Sequence, residues 1–128
     1  MDFNKKTKIG ILTIFLFLSL FVVYAKYQKV NIIYFTNPNC RLTENTDSIL
    51  QDIKLEFNNR IIIKEIKIHI YDQDKEDTEE IARLREKYQV FGVPEIIING
   101  KKFKQEFSKE NIKQSICEEF ILKPEVCK

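Results

Sequence analysis

The stretch Phe91-Gly92-Val93-Pro94-Glu95-Ile96-Ile97-Ile98-Asn99-Gly100-Lys101 says most about how this chain folds. Glu95 to Ile98 is short, apolar and β-branched, which suits a buried strand, and the proline stands just ahead of it. Asn99-Gly100 follows at once. Asn-Gly is the strongest short hairpin signal, because a two-residue type I′ turn needs positive φ at both central residues. Lys101 to Glu106 is therefore expected to return as the antiparallel partner strand.

Upstream, Val30-Asn31-Ile32-Ile33-Tyr34-Phe35 reads as a buried strand, followed by a turn at Asn37-Pro38-Asn39. Ile49, Leu50, Ile53 and Phe57 recur at helical spacing, predicting a helix near 42–57 that Asn58-Asn59 closes. Residues 61–70 read as a second strand, with Ile66, Ile68 and Ile70 on one face and Lys67 and His69 on the other. The acidic stretch Asp72–Asp77 is expected to start a helix through Tyr88 that buries Ile81, Leu84 and Tyr88. Acids at its start and Arg83, Arg85 and Lys87 at its end both suit the helix dipole. Downstream, Ser108 can cap a last helix with Ile112, Ile116 and Phe120 inward. The order β-α-β-α-β-β-α predicts an α/β fold on a mixed four-stranded sheet. Its first two strands are parallel across a helical crossover, and its last two form the hairpin.

The chain has 128 residues, 44% of them hydrophobic, with 3 Gly and 3 Pro, which excludes collagen-like, low-complexity and disordered classes. Its net charge of +2 is local. Lys5, Lys6 and Lys8 against Asp2 supply all of it, and residues 26–128 hold 18 basic and 18 acidic side chains. No basic domain remains to bind nucleic acid. Ile9 to Ala25 is an uncharged run of 17 residues. As a helix it would reach roughly 25 Å, a little short of the hydrocarbon core of about 30 Å. Residues 1–8 are read as a cytoplasmic n-region and 9–25 as a transmembrane signal-anchor. A cleavable signal peptide is the alternative, because Val23-Tyr24-Ala25 resembles a cleavage site. Both readings put the domain at 28–128 outside the cytoplasm, where disulfides persist, and the anchor reading holds it at the cell membrane.

Three cysteines leave three possible pairings and one odd thiol. Cys40 falls between the first strand and the first helix. A helix N-terminus favours a thiolate, and Arg41 adds a fixed positive charge. Together with Gly92-Val93-Pro94 and Asn99-Gly100-Lys101, the lead-in Tyr34-Phe35-Thr36-Asn37-Pro38-Asn39-Cys40 resembles the thioredoxin superfamily over about residues 28–121. The first element resembles that family's cis-proline segment, the second the approach to its C-x-x-C motif. The resemblance implies a thioredoxin-like three-layer sandwich with Cys40 as nucleophile. It also implies that Pro94 is cis and lies beside Cys40, and that Val93 offers main-chain hydrogen bonds to a bound peptide. The implied partners are thiol- or disulfide-containing proteins, with no cofactor.

The motif departs from the family at its second cysteine, where Cys40-Arg41-Leu42-Thr43 ends in threonine. Thr43 cannot resolve a mixed disulfide, although its hydroxyl has the reach to donate to a Cys40 thiolate. A shifted alignment would put Asn37 first and Cys40 second. Tyr34 stands where thioredoxins carry a buried acid. Closing Cys117 to Cys127 spans only ten residues and is entropically the easiest pairing, a hook on the C-terminus. The tail around them resembles those of small membrane-tethered thioredoxin-like proteins of prokaryotes. The alternative keeps Cys127 mobile, to resolve Cys40. His69, the one histidine, reads as a solvated side chain, and the acidic run lacks an EF-hand loop, so no metal is expected. Two functions follow. One is thiol–disulfide exchange through a single cysteine. The other is a redox-inactive binding module that keeps the groove beside Val93-Pro94.

Overall fold

A computed structural model of the chain describes residues 5–69 and 76–128. Helix α1, Lys5–Tyr27, leads into strand β1, Val30–Thr36, and then helix α2, Arg41–Phe57. A short 3-10 turn at Asn58–Arg60 precedes β2, Ile61–Lys67. Helix α3, Glu79–Tyr88, the hairpin of β3, Glu95–Ile98, and β4, Lys101–Lys102, and helix α4, Lys109–Glu118, complete the order, with a final 3-10 turn at Glu125–Cys127. The sheet runs β2-β1-β3-β4, with β1 parallel to β2 and antiparallel to β3. This is the expected mixed four-stranded α/β sheet.

Strand β1 is central and covered on both faces, so its sequence is nearly continuously apolar. Val30, Ile32 and Tyr34 face a core shared with Leu50, Ile53 and Phe57 of α2 and Ile112 and Ile116 of α4. Phe35 faces the other side, against Ile66, Ile68, Val90 and Ile97, with Ile81, Leu84 and Tyr88 of α3 packed over them. Both faces of the sheet are therefore sealed by helices, as a three-layer arrangement requires.

The elements depart from expectation at several ends. Helix α1 runs from Lys5 to Tyr27, longer on both sides than the apolar run 9–25. The second strand ends at Lys67, although the amide of Ile68 still donates to the carbonyl of Thr36 at 2.9 Å. Ile70 and the acids Asp72 and Asp74 lie outside the described residues. Helix α3 begins only at Glu79, because Thr78 is its cap and accepts from the amide of Ile81. Asp77 stays out of the helix, bonded to Arg85 Nη1 at 2.5 Å and to the amide of His69 at 3.2 Å. The partner strand expected over Lys101–Glu106 is just Lys101–Lys102. With β3 only four residues long, pairing ends where the amide of Phe103 donates to the carbonyl of Ile96 at 2.8 Å. Asn99 and Gly100 have φ of 47° and 81°, the two positive values of a type I′ turn.

Candidate functional site

The loop after β1 is organised by Asn37, which is buried. Its side-chain oxygen accepts from the amide of Asn39 at 2.9 Å, and its carbonyl accepts from the amide of Cys40 at 3.0 Å. Those bonds turn the chain sharply and deliver Cys40 as the N-cap residue of α2, with φ −106° and ψ 116°. The Cys40 side chain makes no capping hydrogen bond and is half-buried. Cys40 thus stands at the start of α2, with Asn37 three residues earlier in the loop.

Thr43 sits one turn into α2 and is 1% exposed. Its hydroxyl donates to the carbonyls of Cys40 at 2.7 Å and Asn37 at 3.1 Å. A threonine has one proton to donate, and here it is directed at the backbone. The expected bond from Thr43 to the Cys40 sulfur is therefore replaced by one that clamps the loop carrying Cys40. Sequence spacing alone could not separate these outcomes, since both acceptors belong to the same turn.

The second half of the site comes from the start of β3. The Val93-Pro94 peptide bond is cis. Pairing of Phe35 with Glu95 puts Pro94 beside Thr36, so Pro94 and the Cys40 loop share one end of the sheet. Val93 is half-buried and packs against the Phe35 side of the core. Glu95 is paired with Lys102 at 2.9 Å, which neutralises the nearest acid on this strand. Two side chains that the sequence reading did not single out flank these elements. Leu42 is 70% exposed and Phe91 is 83% exposed, and Leu55 farther along α2 is exposed to a similar degree. Their signal was present in the sequence as an aromatic just ahead of Gly-Val-Pro and a leucine inside the cysteine motif.

Tyr34 lies beneath the loop, with its hydroxyl 3.4 Å from the carbonyl of Thr43. Burial pushes that hydroxyl well above the usual phenol range, and the neighbouring carboxylate of Asp47 adds to the effect. It is therefore a neutral donor in the position where a buried acid was absent from the sequence. A cavity of about 260 Å³ beside it is lined by Asp47, Lys54 and Glu65.

The other two cysteines lie at the opposite end of the domain. Cys117 and Cys127 form a disulfide with their Cα atoms 5.6 Å apart. Cys40 is the one free thiol of the chain. Among the described residues no group of three or more His, Cys, Asp or Glu side chains is placed to hold a metal. His69 is half-buried instead of fully solvated.

The backbone is similar to that of a point mutant of the thioredoxin from Halobacterium salinarum, with a TM-score of 0.54. The fold is thioredoxin-like. Identity to that thioredoxin is 16%, over 76% of this chain and 80% of the other. A malarial protein of known structure gives a TM-score of 0.53 and 16% identity, covering 74% of this chain and all of its own. No protein-family model and no curated protein matches the sequence. At this identity the likeness is one of fold, so the chemistry of the thioredoxin-like domain has to be argued from its own residues.

Proposed function

We propose that this protein is a membrane-tethered, extracytoplasmic thioredoxin-fold protein that performs thiol–disulfide exchange through Cys40 alone. The observation that carries the reading is the placement of a lone free thiol at the N-terminus of α2, at the same end of the sheet as the cis Val93-Pro94 bond. The unsatisfied N–H groups of a helix start stabilise a developing thiolate. The Cys40 thiolate attacks one sulfur of a substrate disulfide, forms the mixed disulfide and releases the other sulfur as thiolate. With Thr43 in place of a second cysteine, an external thiol completes the exchange. It attacks the mixed disulfide and leaves either Cys40 or the substrate free. Thr43 acts as a positioning residue for the loop, and Val93 and Pro94 line the side where a substrate segment lies.

The tether is α1, whose segment Thr7–Tyr27 spans 21 residues, is strongly apolar and is almost entirely unburied. A helix of that length and composition needs an apolar surround, and a bilayer supplies one. Three lysines before the run favour a cytoplasmic N-terminus.

A second reading rests on the same loop. With Thr43 buried and bonded to the backbone, no group near Cys40 resolves a mixed disulfide, while Leu42 and Phe91 offer exposed apolar contact area. The domain would then bind a partner segment without turning over. The two readings separate in an exchange assay with glutathione disulfide, followed by mass spectrometry of the purified full chain. Exchange predicts a glutathione adduct on Cys40 that excess reduced thiol removes, and its complete loss in Cys40→Ser. A chain that takes up no adduct, or a Cys40→Ser variant that keeps every partner interaction and phenotype, would establish the binding module instead.

A further inference from the structure

The base of the domain, where α1 joins it, carries a surface that no part of the proposed chemistry uses. The junction is a clamp. Gln28 Nε2 donates to the carbonyl of Glu119 at 2.9 Å, and Gln28 Oε1 accepts from the amide of Ile121 at 2.9 Å. The carbonyl of Gln28 accepts from Arg60 Nε at 3.1 Å, and the guanidinium of Arg60 lies 5.0 Å over the ring of Phe120. Ala25 is fully buried, whereas the described positions from Thr7 to Tyr24 are exposed, so α1 projects away from the domain instead of lying along it. The tail beyond α4 is pinned to the same place by the Cys117–Cys127 bond.

Ile121 and Leu122 are 50% and 47% exposed immediately beside that clamp. Tyr27 at the end of α1 is 69% exposed, and Lys26, Lys29 and Lys123 are exposed around it. Glu118 at the end of α4 and Glu125 in the tail are exposed acids, the latter paired with Lys128. Adjacent apolar side chains with exposed lysines close by in the chain, next to an aromatic at the exit of an apolar helix, still match the chemistry of a bilayer interface. Apolar groups enter the acyl boundary there, and cations meet anionic headgroups. We propose that this base is a second membrane contact, in which Ile121 and Leu122 dip into a phospholipid surface and hold the domain upright. The inference rests on the reading of α1 as a membrane span.

The consequence is a fixed height for the thiol. Strand β1 rises from the clamp at Val30 to Thr36, 7 residues. At about 3.3 Å per residue that is roughly 20 Å, with the Cys40 loop beyond it. Cys40 is thus presented to thiols and disulfides of extramembrane protein segments at about that height, and not to cysteines within the bilayer.

The chain has no tryptophan, so single-tryptophan variants report depth directly. Leu16→Trp, Leu122→Trp and Phe91→Trp would each be placed in the full chain, with Ile121→Trp as a second probe of the base. Each variant is reconstituted into phosphatidylcholine–phosphatidylglycerol vesicles whose acyl chains are brominated both near the headgroups and near the bilayer centre. The proposal expects Leu16→Trp and Leu122→Trp to lose most of their emission and Phe91→Trp to keep it. Quenching at 16 without quenching at either 121 or 122 would overturn the docked base while leaving the membrane span intact. Equal quenching at 91 and 122 would overturn it as well, because the domain would then lie flat. An unquenched Leu16→Trp would remove the span itself, and the docked base with it.

Discussion

The two ends of this domain are built on opposite terms. At the base, Phe57 stacks on Phe120 with ring centroids 6.1 Å apart, Arg60 lies over the Phe120 ring, and the Cys117–Cys127 bond and Gln28 tie α4, the tail and the end of α1 together. At the other end, Cys40 caps a helix without a side-chain bond, and Leu42 and Phe91 stand in solvent. One end is cross-linked and packed, the other left open with a thiol at its rim. The cross-links lie away from the place where the proposed chemistry needs access, which is how a rigid scaffold would present a reactive loop. The contrast predicts that mutations at the base cost stability and mutations at the tip cost reactivity.

The largest expected effect on stability is at Phe57, which is 2% exposed. Phe57→Ala should lower the unfolding free energy by about 3–5 kcal/mol, measured by urea denaturation in detergent, with Cys40 alkylation unchanged in the folded protein. Removing the disulfide with Cys117→Ser and Cys127→Ser together should cost about 2–4 kcal/mol. At the tip, Thr43→Ala removes the hydroxyl bond to the Asn37 and Cys40 carbonyls, which keep their backbone donors, and should cost about 0.5–1.5 kcal/mol. Thr43→Cys sharpens the same point. It would supply a second thiol one turn from Cys40, so oxidation of the variant should abolish alkylation of Cys40 until a dithiol reductant restores it. Unchanged labelling after oxidation would show that the loop cannot bring the two sulfurs together.

The smallest effect is electrostatic. Hydrogen bonds from Lys109 and Lys113 hold the Glu56 carboxyl below its ordinary value of 4.5. Because the folded value is depressed, the pair's contribution is complete above the unfolded value and is lost as pH falls through the folded one. Glu56→Gln should therefore flatten the acid limb of the stability curve below about pH 4.5, by less than about 1 kcal/mol because the carboxyl is partly exposed.

The sheet was legible because β1 and β3 are short runs rich in β-branched and aromatic residues and Asn99-Gly100 dictates the hairpin register. The start of α3 was not, because Thr78 and Asp77 both suit a helix N-terminus, and only the bonds of Asp77 to His69 and Arg85 exclude it from the helix. That Cys40 and Pro94 share one end of the sheet was legible only through the resemblance to thioredoxins. The direction of the Thr43 hydroxyl was not legible, since it depends on how Asn37 folds the loop back. Gln28 carried no sequence signal at all. Its partners Glu119 and Ile121 lie 91 and 93 residues away, and a polar residue after an apolar helix looks like any linker.

The central claim is that one accessible thiol at the open end does the work. Alkylation of the unreduced full chain at neutral pH, with site mapping by mass spectrometry over time, tests it most directly. The account predicts a single label, on Cys40, acquired faster than by a free cysteine in the same buffer, with Cys117 and Cys127 recovered as one disulfide-linked peptide. Label on Cys117 or Cys127, or a Cys40 that reacts more slowly than free cysteine, would contradict it.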